Sequence, residues 1–394
     1  MSSWRECKLW DVAEVKGGKR LPKGELLTTE KTPHPYIRIT DFDGHKINLS
    51  AIQYVTEEVQ KSISRYIVNK QDIIISNVGT IGLCAKIPDE LDNANLTENC
   101  VKLVFDKNKI DTNFLYYHLI SPDTQELINS LDVGSTQPKL PIYNIQKIDI
   151  SLPPLEEQKA IAEVLCSFDD KIDLLHRQNQ TLESLAQTLF RQWFIEEAKE
   201  EWEEKTLSYF GDIICGKTPS KSNSQYFDGN VPFIKIPDMH GNTFIFKTTD
   251  TLSEIGKESQ KNKTLPPKSI CVSCIATVGL VSMNIIESQT NQQINSIIPN
   301  KDIYRYFIYL FMQSSYDLLH AMASGGTATL NLNTGDFSKM EILKPDDETL
   351  KIFHQVIEPT FDKIFINSKQ IQTLENLRDT LLPKLLSGEV RVKI

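Results

Sequence analysis

Between residues 161 and 193 apolar side chains recur at alternating steps of four and three: Ile161, Leu165, Phe168, Ile172, Leu175, then Leu182, Ala186, Leu189 and Trp193. Such spacing is the seam of a helix packed lengthwise on another helix. Asn179 interrupts it. Pro153-Pro154 pre-sets a first turn, and Glu156 and Glu157 suit the positive end of a helix dipole. The pattern predicts a helix over residues 155–198, ~65 Å long at 1.5 Å per residue. A second seam carries Ile364, Ile371, Leu374, Leu381 and Leu385, broken by Asn367 and Arg378. Pro359, which has no counterpart in the first helix, predicts a kink or a start there. Gly388 closes this helix, and Val390 to Ile394 reads as a short final strand.

The two helices repeat one another. Gln178, Gln180, Thr181, Leu182, Glu183, Leu185, Thr188 and Leu189 recur as Gln370, Gln372, Thr373, Leu374, Glu375, Leu377, Thr380 and Leu381 at one constant offset. The blocks before them repeat too, though more faintly. Trp4 through Gly18 aligns with Trp202 through Gly216, Gly79-Thr-Ile-Gly82 with Ala276-Thr-Val-Gly279, and Gly134-Ser-Thr-Gln137 with Gly326-Thr-Ala-Thr329. In the first block, Asp72 to Ser76 and Val101 to Phe105 are strand-like and residues 112–131 helical. The expected architecture is α/β (α+β), with pseudo-two-fold symmetry. Two similar globular domains, 1–150 and 201–346, are separated by two long antiparallel coiled-coil helices, 151–200 and 347–394. Retained helices beside diverged domains are what one fixed partner and two different ligands would leave behind; helices that simply tolerate less change would leave the same pattern.

With 394 residues, 40 % hydrophobic and 24 % charged, the chain has the composition of a soluble multidomain protein. No apolar run approaches a membrane span, and the N-terminus lacks a signal-peptide core. The seven cysteines are scattered, as suits the reducing cytoplasm. Cys271-Val-Ser-Cys274 has metal-like spacing but lies in a strand-like run without a second pair, which marks core cysteines. The net charge of −9 argues at first against nucleic acid. Much of the acidity lies in 155–200, however, and local basic clusters remain elsewhere.

Catalytic motifs are missing. The chain has no Gly-x-x-x-x-Gly-Lys-Ser/Thr loop, no Gly-x-Gly-x-x-Gly fingerprint, no Gly-x-Ser-x-Gly elbow and no His-Glu-x-x-His. An Asn/Asp-Pro-Pro-aromatic tetrapeptide is absent as well, and the seven histidines stand alone. What recurs is a loop chemistry suited to DNA. Lys16-Gly-Gly-Lys-Arg-Leu-Pro-Lys23 returns as Gly216-Lys-Thr-Pro-Ser-Lys221. Lysines, arginines, hydroxyls and backbone amides contact phosphates, while Arg, Asn and Gln read base edges. The candidate DNA-binding residues are Lys19, Arg20, Lys23, Asn77, Thr80, Thr136, Gln137 and Lys139 in the first copy. In the second they are Lys217, Thr218, Ser220, Lys221, Thr277, Thr327, Thr329 and Asn331.

Trp202-Glu-Glu-Lys-Thr-Leu, Gly216-Lys-Thr-Pro-Ser, Tyr226-Phe-Asp-Gly229 and Val231-Pro-Phe-Ile-Lys-Ile236 look like the start of a target-recognition domain. Together with Leu152-Pro-Pro-Leu-Glu-Glu-Gln158 and Leu385-Leu-Ser-Gly-Glu-Val-Arg-Val392, they resemble the DNA specificity subunit of type I restriction-modification systems over essentially the whole chain. That resemblance implies a non-catalytic subunit whose two domains each read half of a bipartite, asymmetric site in double-stranded DNA. It also implies helices that set the spacer and dock two methyltransferase subunits, through Glu157, Gln158, Gln180, Glu183, Gln372 and Glu375. The subunit itself would need no cofactor and no metal. S-adenosylmethionine would be used by the methyltransferase subunits, which flip the target adenine, and ATP and magnesium by motor-nuclease subunits. Two alternatives stand beside it: the specificity subunit of a two-subunit methylase-nuclease, and a helical assembly scaffold without sequence readout.

Overall fold

The computed structural model describes residues 4–134, 136–324 and 329–393. The chain divides into two compact units, one formed by Met1–Lys171 with Leu374–Ile394 and the other by Ile172–Thr373.

Unit 1 is built on an antiparallel sheet in the order Ala13–Gly17, Cys100–Phe105, Ile73–Ser76, Cys84–Lys86. Three consecutive isoleucines make Ile73–Ser76 a strand buried on both faces, and period-two alternation divides them. Ile73 and Ile75 join the core that includes helix Thr112–Ile120 and the long helices, while Ile74 joins a second core beneath a smaller sheet. That smaller sheet runs Gln53–Tyr54, Pro35–Ile37, Ala94–Leu96, Ile67–Val68. Ser121 ends one helix and caps the next, Pro122–Ser130, so the helical stretch expected over 112–131 is two helices.

Unit 2 repeats this plan. Its main sheet runs Gly211–Cys215, Ile294–Pro299, Ile270–Ser273, Val281–Asn284, Phe244–Ile245. Ile270 and Val272 face the core of the long helices and Cys271 the second core, as the three isoleucines do in unit 1. Both Cys271 and Cys274 are buried, and burial pushes the Cys271 thiol up to about 12 and that of Cys274 to about 11.

The first long helix, Leu155–Arg191, ends in a π-helical turn, Gln192–Glu196. The second, Asp347–Leu386, begins 192 residues after the first (347 − 155). Pro359 lies inside it and neither starts nor ends it. Within unit 2 the helices pair antiparallel. The Asn367 amide donates to Asn179 Oδ1 at 2.9 Å, and Trp193 packs on Phe353 with ring centroids 5.6 Å apart. Within unit 1, Arg378 donates to Asp169 at 2.7 Å, and Leu382, Leu385 and Leu386 share a core with Ile161 and Leu165. The seam breaks seen in the sequence are therefore matched polar partners.

The expected final strand does not form: Gly388, at φ +73°, ends the helix, and residues 391–393 run without strand pairing. Instead Arg391 pairs with the buried Glu157 carboxylate and lies over the Trp4 ring at 5.7 Å. In unit 2 Lys199 lies over the equivalent Trp202 at 5.9 Å. Among the described residues no helix is long and apolar enough to cross a membrane.

Candidate nucleic-acid interface

Strand register gathers the candidate residues of each unit at one end of its main sheet. Val101 pairs with both Gly17 and Ile75, so the loops after Gly17 and Ser76 and the loop before Cys100 leave from the same edge. Asn295 pairs likewise with Cys215 and Val272 in unit 2.

The first loop is held by its backbone. Gly18 N donates to Cys100 O at 2.9 Å and Lys19 N to Leu96 O at 2.8 Å. In unit 2, Gly216 N donates to Ile294 O at 3.0 Å and Lys217 N to Thr290 O at 2.9 Å. A Cβ on Gly18 would stand 1.9 Å from Thr97 O, and one on Gly216 would stand 2.1 Å from Asn291 O, so only glycine lets the chains approach this closely. The next carbonyl is held by different side chains in the two units. Tyr36 Oη donates to Lys19 O, and Gln260 Nε2 donates to Lys217 O, each at 2.7 Å.

The second loop is framed in the same way. Gly79 N donates to Pro138 O at 2.9 Å, and the bridge between Val78 and Lys139 brings residues 136–139 alongside. Ala276 N donates to Leu330 O at 3.0 Å, with Ile275 bridged to Asn331. Gly79 sits at φ +88° and Ala276 at φ +65°, so the second copy keeps a left-handed residue even with a side chain.

Lys19, Arg20, Lys23, Thr80, Thr136, Gln137 and Lys139 are exposed. Gln137 Nε2 lies 3.4 Å from where a Gly79 Cβ would be, beside that turn. Asn77 departs from the expected surface role. Its side chain is buried, at the position of the core residue Cys274, and Asn77 Oδ1 has no hydrogen-bond partner. In unit 2 Lys217, Ser220, Lys221, Thr277, Thr329 and Asn331 are exposed and Thr218 half-buried. Thr327 lies outside the described residues.

A third loop was not singled out by the sequence. Thr97-Glu98-Asn99 and Asn291-Gln292-Gln293 occupy equivalent places before the central strand. Arg20 donates to Glu98 at 2.5 Å, and Thr218 donates to Gln292 Oε1 at 2.7 Å. Burial pushes the Glu98 carboxyl up, but Arg20, Thr97 and its own backbone amide outweigh this and hold it below the usual range. The signal was available as a polar triplet ahead of each aligned strand.

Of the residues expected to meet partner subunits, Glu157 and Gln158 are enclosed in unit 1. Glu157 accepts from Trp4 Nε1 at 3.1 Å, and Gln158 Oε1 accepts from Asp111 N at 2.8 Å. Their job is to tie the helix start to its own domain. Glu183 is half-buried, accepts from Thr243, and its carboxyl is pushed up by burial. Gln180 is exposed, and Gln372 and Glu375 are half-buried. Large apolar side chains are exposed at repeat-equivalent positions, Leu174 with Ile366 and Leu185 with Leu377. Asp302, His354 and Glu358 bring possible metal ligands within 4.8 Å of one another, but Arg305 already pairs with Asp302 and opposes a cation there.

Two segments of the chain, residues 1–184 and 199–376, match the family model of the type I restriction modification DNA specificity domain. The specificity subunit of the type I restriction enzyme HindI from Haemophilus influenzae is 36 % identical, over 82 % of this chain and 87 % of that protein. The type I restriction enzyme MjaIX specificity subunit from Methanocaldococcus jannaschii is 29 % identical, over 99 % and 94 %. In fold, the chain is similar to the crystal structure of a type I restriction-modification S subunit from M. genitalium. That match has a TM-score of 0.60 and 18 % identity, and covers 100 % of this chain and 97 % of that one.

Proposed function

The chain belongs to the family of type I restriction-modification DNA specificity subunits, and on that premise we propose that each of its two target-recognition domains reads one half of a bipartite, asymmetric DNA site. One observation carries this reading: the same backbone frame occurs twice and presents different side chains. Lys19, Arg20, Thr80, Gln137 and Lys139 stand on it in one unit, and Lys217, Thr218, Thr277, Thr329 and Asn331 in the other. Lysines on this frame contact phosphates, and Gln137, Asn331 and the Glu98/Gln292 pair are suited to base edges.

The two long helices set the spacer between half-sites and dock two methyltransferase subunits. Their best-retained segments support this. Gln178, Gln180, Thr181, Leu185 and Thr188 are exposed, as are Gln370, Thr373, Leu377 and Thr380, so packing alone does not account for their retention. Two equivalent surfaces with exposed Leu185 and Leu377 fit two copies of one partner. Chemistry resides in those partners, with S-adenosylmethionine in the methyltransferase and ATP with magnesium in motor-nuclease subunits.

Mapping methylated adenines tests the whole reading. Replacing 202–346 with the same block of a relative changes one half of the methylated sequence and leaves the other half and the spacer intact, and omitting the methyltransferase abolishes methylation. A swap that altered both halves would sink it.

A further inference from the structure

The polar contacts across the helix pair are asymmetric with respect to the repeat. Asn179 and Asn367 are buried, at 8 % and 0 % exposure, and hydrogen-bonded to each other. Asn179 Nδ2 also donates to Ser368 Oγ at 3.1 Å. Applying the 192-residue offset, the counterpart of Asn179 is Ile371 (179 + 192) and that of Asn367 is Leu175 (367 − 192), both buried and apolar. Asp169 and Arg378 behave in the same way: they pair at 2.7 Å with side chains about three-quarters buried, and their counterparts are Phe361 and Ala186.

We infer that these polar layers make the seam selective, so that each long helix accepts the helix of the opposite repeat and rejects the same helix from a second copy of the chain. A duplicated protein faces this choice because each repeat carries a helix able to pair with its own kind. Apolar layers do not discriminate. Trp193 lies on Phe353, and the counterpart of Phe353 is Ile161, so self-pairing of the first helix would set Trp193 against an isoleucine and still bury it. The Asn layer does discriminate. Self-pairing of the first helix sets Asn179 against Leu175, twice, and self-pairing of the second sets Asn367 against Ile371, twice. Each arrangement breaks the Asn–Asn hydrogen bond and sets two buried carboxamides against apolar side chains, leaving Asn367 only the long contact that it makes to Gln178 at 3.4 Å, whose counterpart is Gln370. The charged layer adds to this, because Asp169 would face Ala186 and Arg378 would face Phe361. A single buried Asn pair is the best-attested device for fixing the register and oligomer state of packed helices. The layer is not optimised for stability, since Asn367 Oδ1 is left without a donor. The inference stands apart from the DNA reading and holds whatever sequence the domains recognise.

The test uses the full chain, unfolded in urea and refolded at high concentration, with mass read by light scattering. The native chain is expected to refold as one species. Asn179→Ile with Asn367→Leu gives each position the residue of its counterpart and makes the seam uniform. Helix-exchanged dimers should then rise at least tenfold. Adding Leu175→Asn and Ile371→Asn to that variant moves the Asn pair to the counterpart positions and should return the native distribution. This relocated variant keeps one polar and one apolar layer, so it carries the test if the uniform seam fails to fold. An unchanged mass distribution in the uniform variant, or exchanged dimers in the relocated one, would overturn the inference.

Discussion

The first domain holds the Lys19 carbonyl with the hydroxyl of Tyr36, and the second holds the equivalent Lys217 carbonyl with the carboxamide of Gln260. One arm of the loop is pinned by Arg20 on Glu98 in the first domain and by Thr218 on Gln292 in the second. The backbone hydrogen bonds beneath are the same in both, within about a tenth of an ångström. Backbone geometry has been preserved while the side chains that secure it have been replaced. A recognition surface can change its chemistry this way without moving its loops, because a carbonyl accepts equally well from a phenol or an amide.

The comparison breaks most severely where the frame itself is attacked. Gly18→Ala places a methyl group 1.9 Å from a backbone oxygen, so the loop must leave its position. The expected cost is about 3 kcal/mol, the upper end of overpacking. Thermal unfolding reads this cost, and methylation mapping should show loss of one half-site only. Gly216→Ala is the matching change in the other domain, and equal effects of the two would support a shared frame. If both substitutions are silent, the frame does not position the loops.

Charge gives a smaller, graded contrast. Replacing Lys19, Arg20 and Lys23 with Ala should weaken DNA binding and lower the salt slope by at most ~3, at roughly 0.9 for each phosphate no longer neutralised. The Glu98 carboxylate already neutralises Arg20, so the fall should be nearer ~2. Replacing Lys217 and Lys221 should also lower it by ~2. Fluorescence anisotropy of the complex with its methyltransferase, across a salt series, measures both slopes. Unchanged slopes would mean that these loops face solvent.

The smallest difference concerns the helix starts. Asp346 accepts from Thr349 N at 2.7 Å and caps the second long helix, whereas its counterpart in the first is Pro154. That backbone bond, then the Thr349 hydroxyl, hold the Asp346 carboxyl down at about 2. A depressed pKa means stability that is present above the ordinary aspartate range near pH 4 and is lost as pH falls toward 2. Because Asp346 is largely exposed, its contribution should be about 1 kcal/mol, typical of a cap. Asp346→Ala should lose that much at pH 7 and well under half of it near pH 2, as chemical denaturation at the two values can check.

The long helices, the duplication and the central strands Ile73–Ser76, Cys100–Phe105 and Ile270–Ser273 were readable from the sequence pattern, because a seam and a doubly buried strand leave strong patterns. Asn179, Asn367 and Arg378 were readable only as interruptions, since a sequence does not say which polar residue will meet which. Glu157 shows the same limit. A glutamate in a first helical turn looks like a surface residue, and only the fold brings Trp4 and Arg391 to it. The final strand failed because Val390 and its neighbours find no strand to pair with, and Arg391 takes an ion pair instead. In the loops, Lys19 and Thr80 were legible as exposed polar residues. Tyr36 and Gln260 were not, because they act on carbonyls far away in the chain.

Unit 2 is one uninterrupted stretch of chain, whereas unit 1 is closed by Leu374–Ile394, with Arg391 set on Glu157 and over Trp4. A ribosome therefore supplies every residue of the second unit before it supplies the last piece of the first. A stop anywhere within residues 374–394 removes part of the unit that was begun first and leaves the one made second with all of its residues.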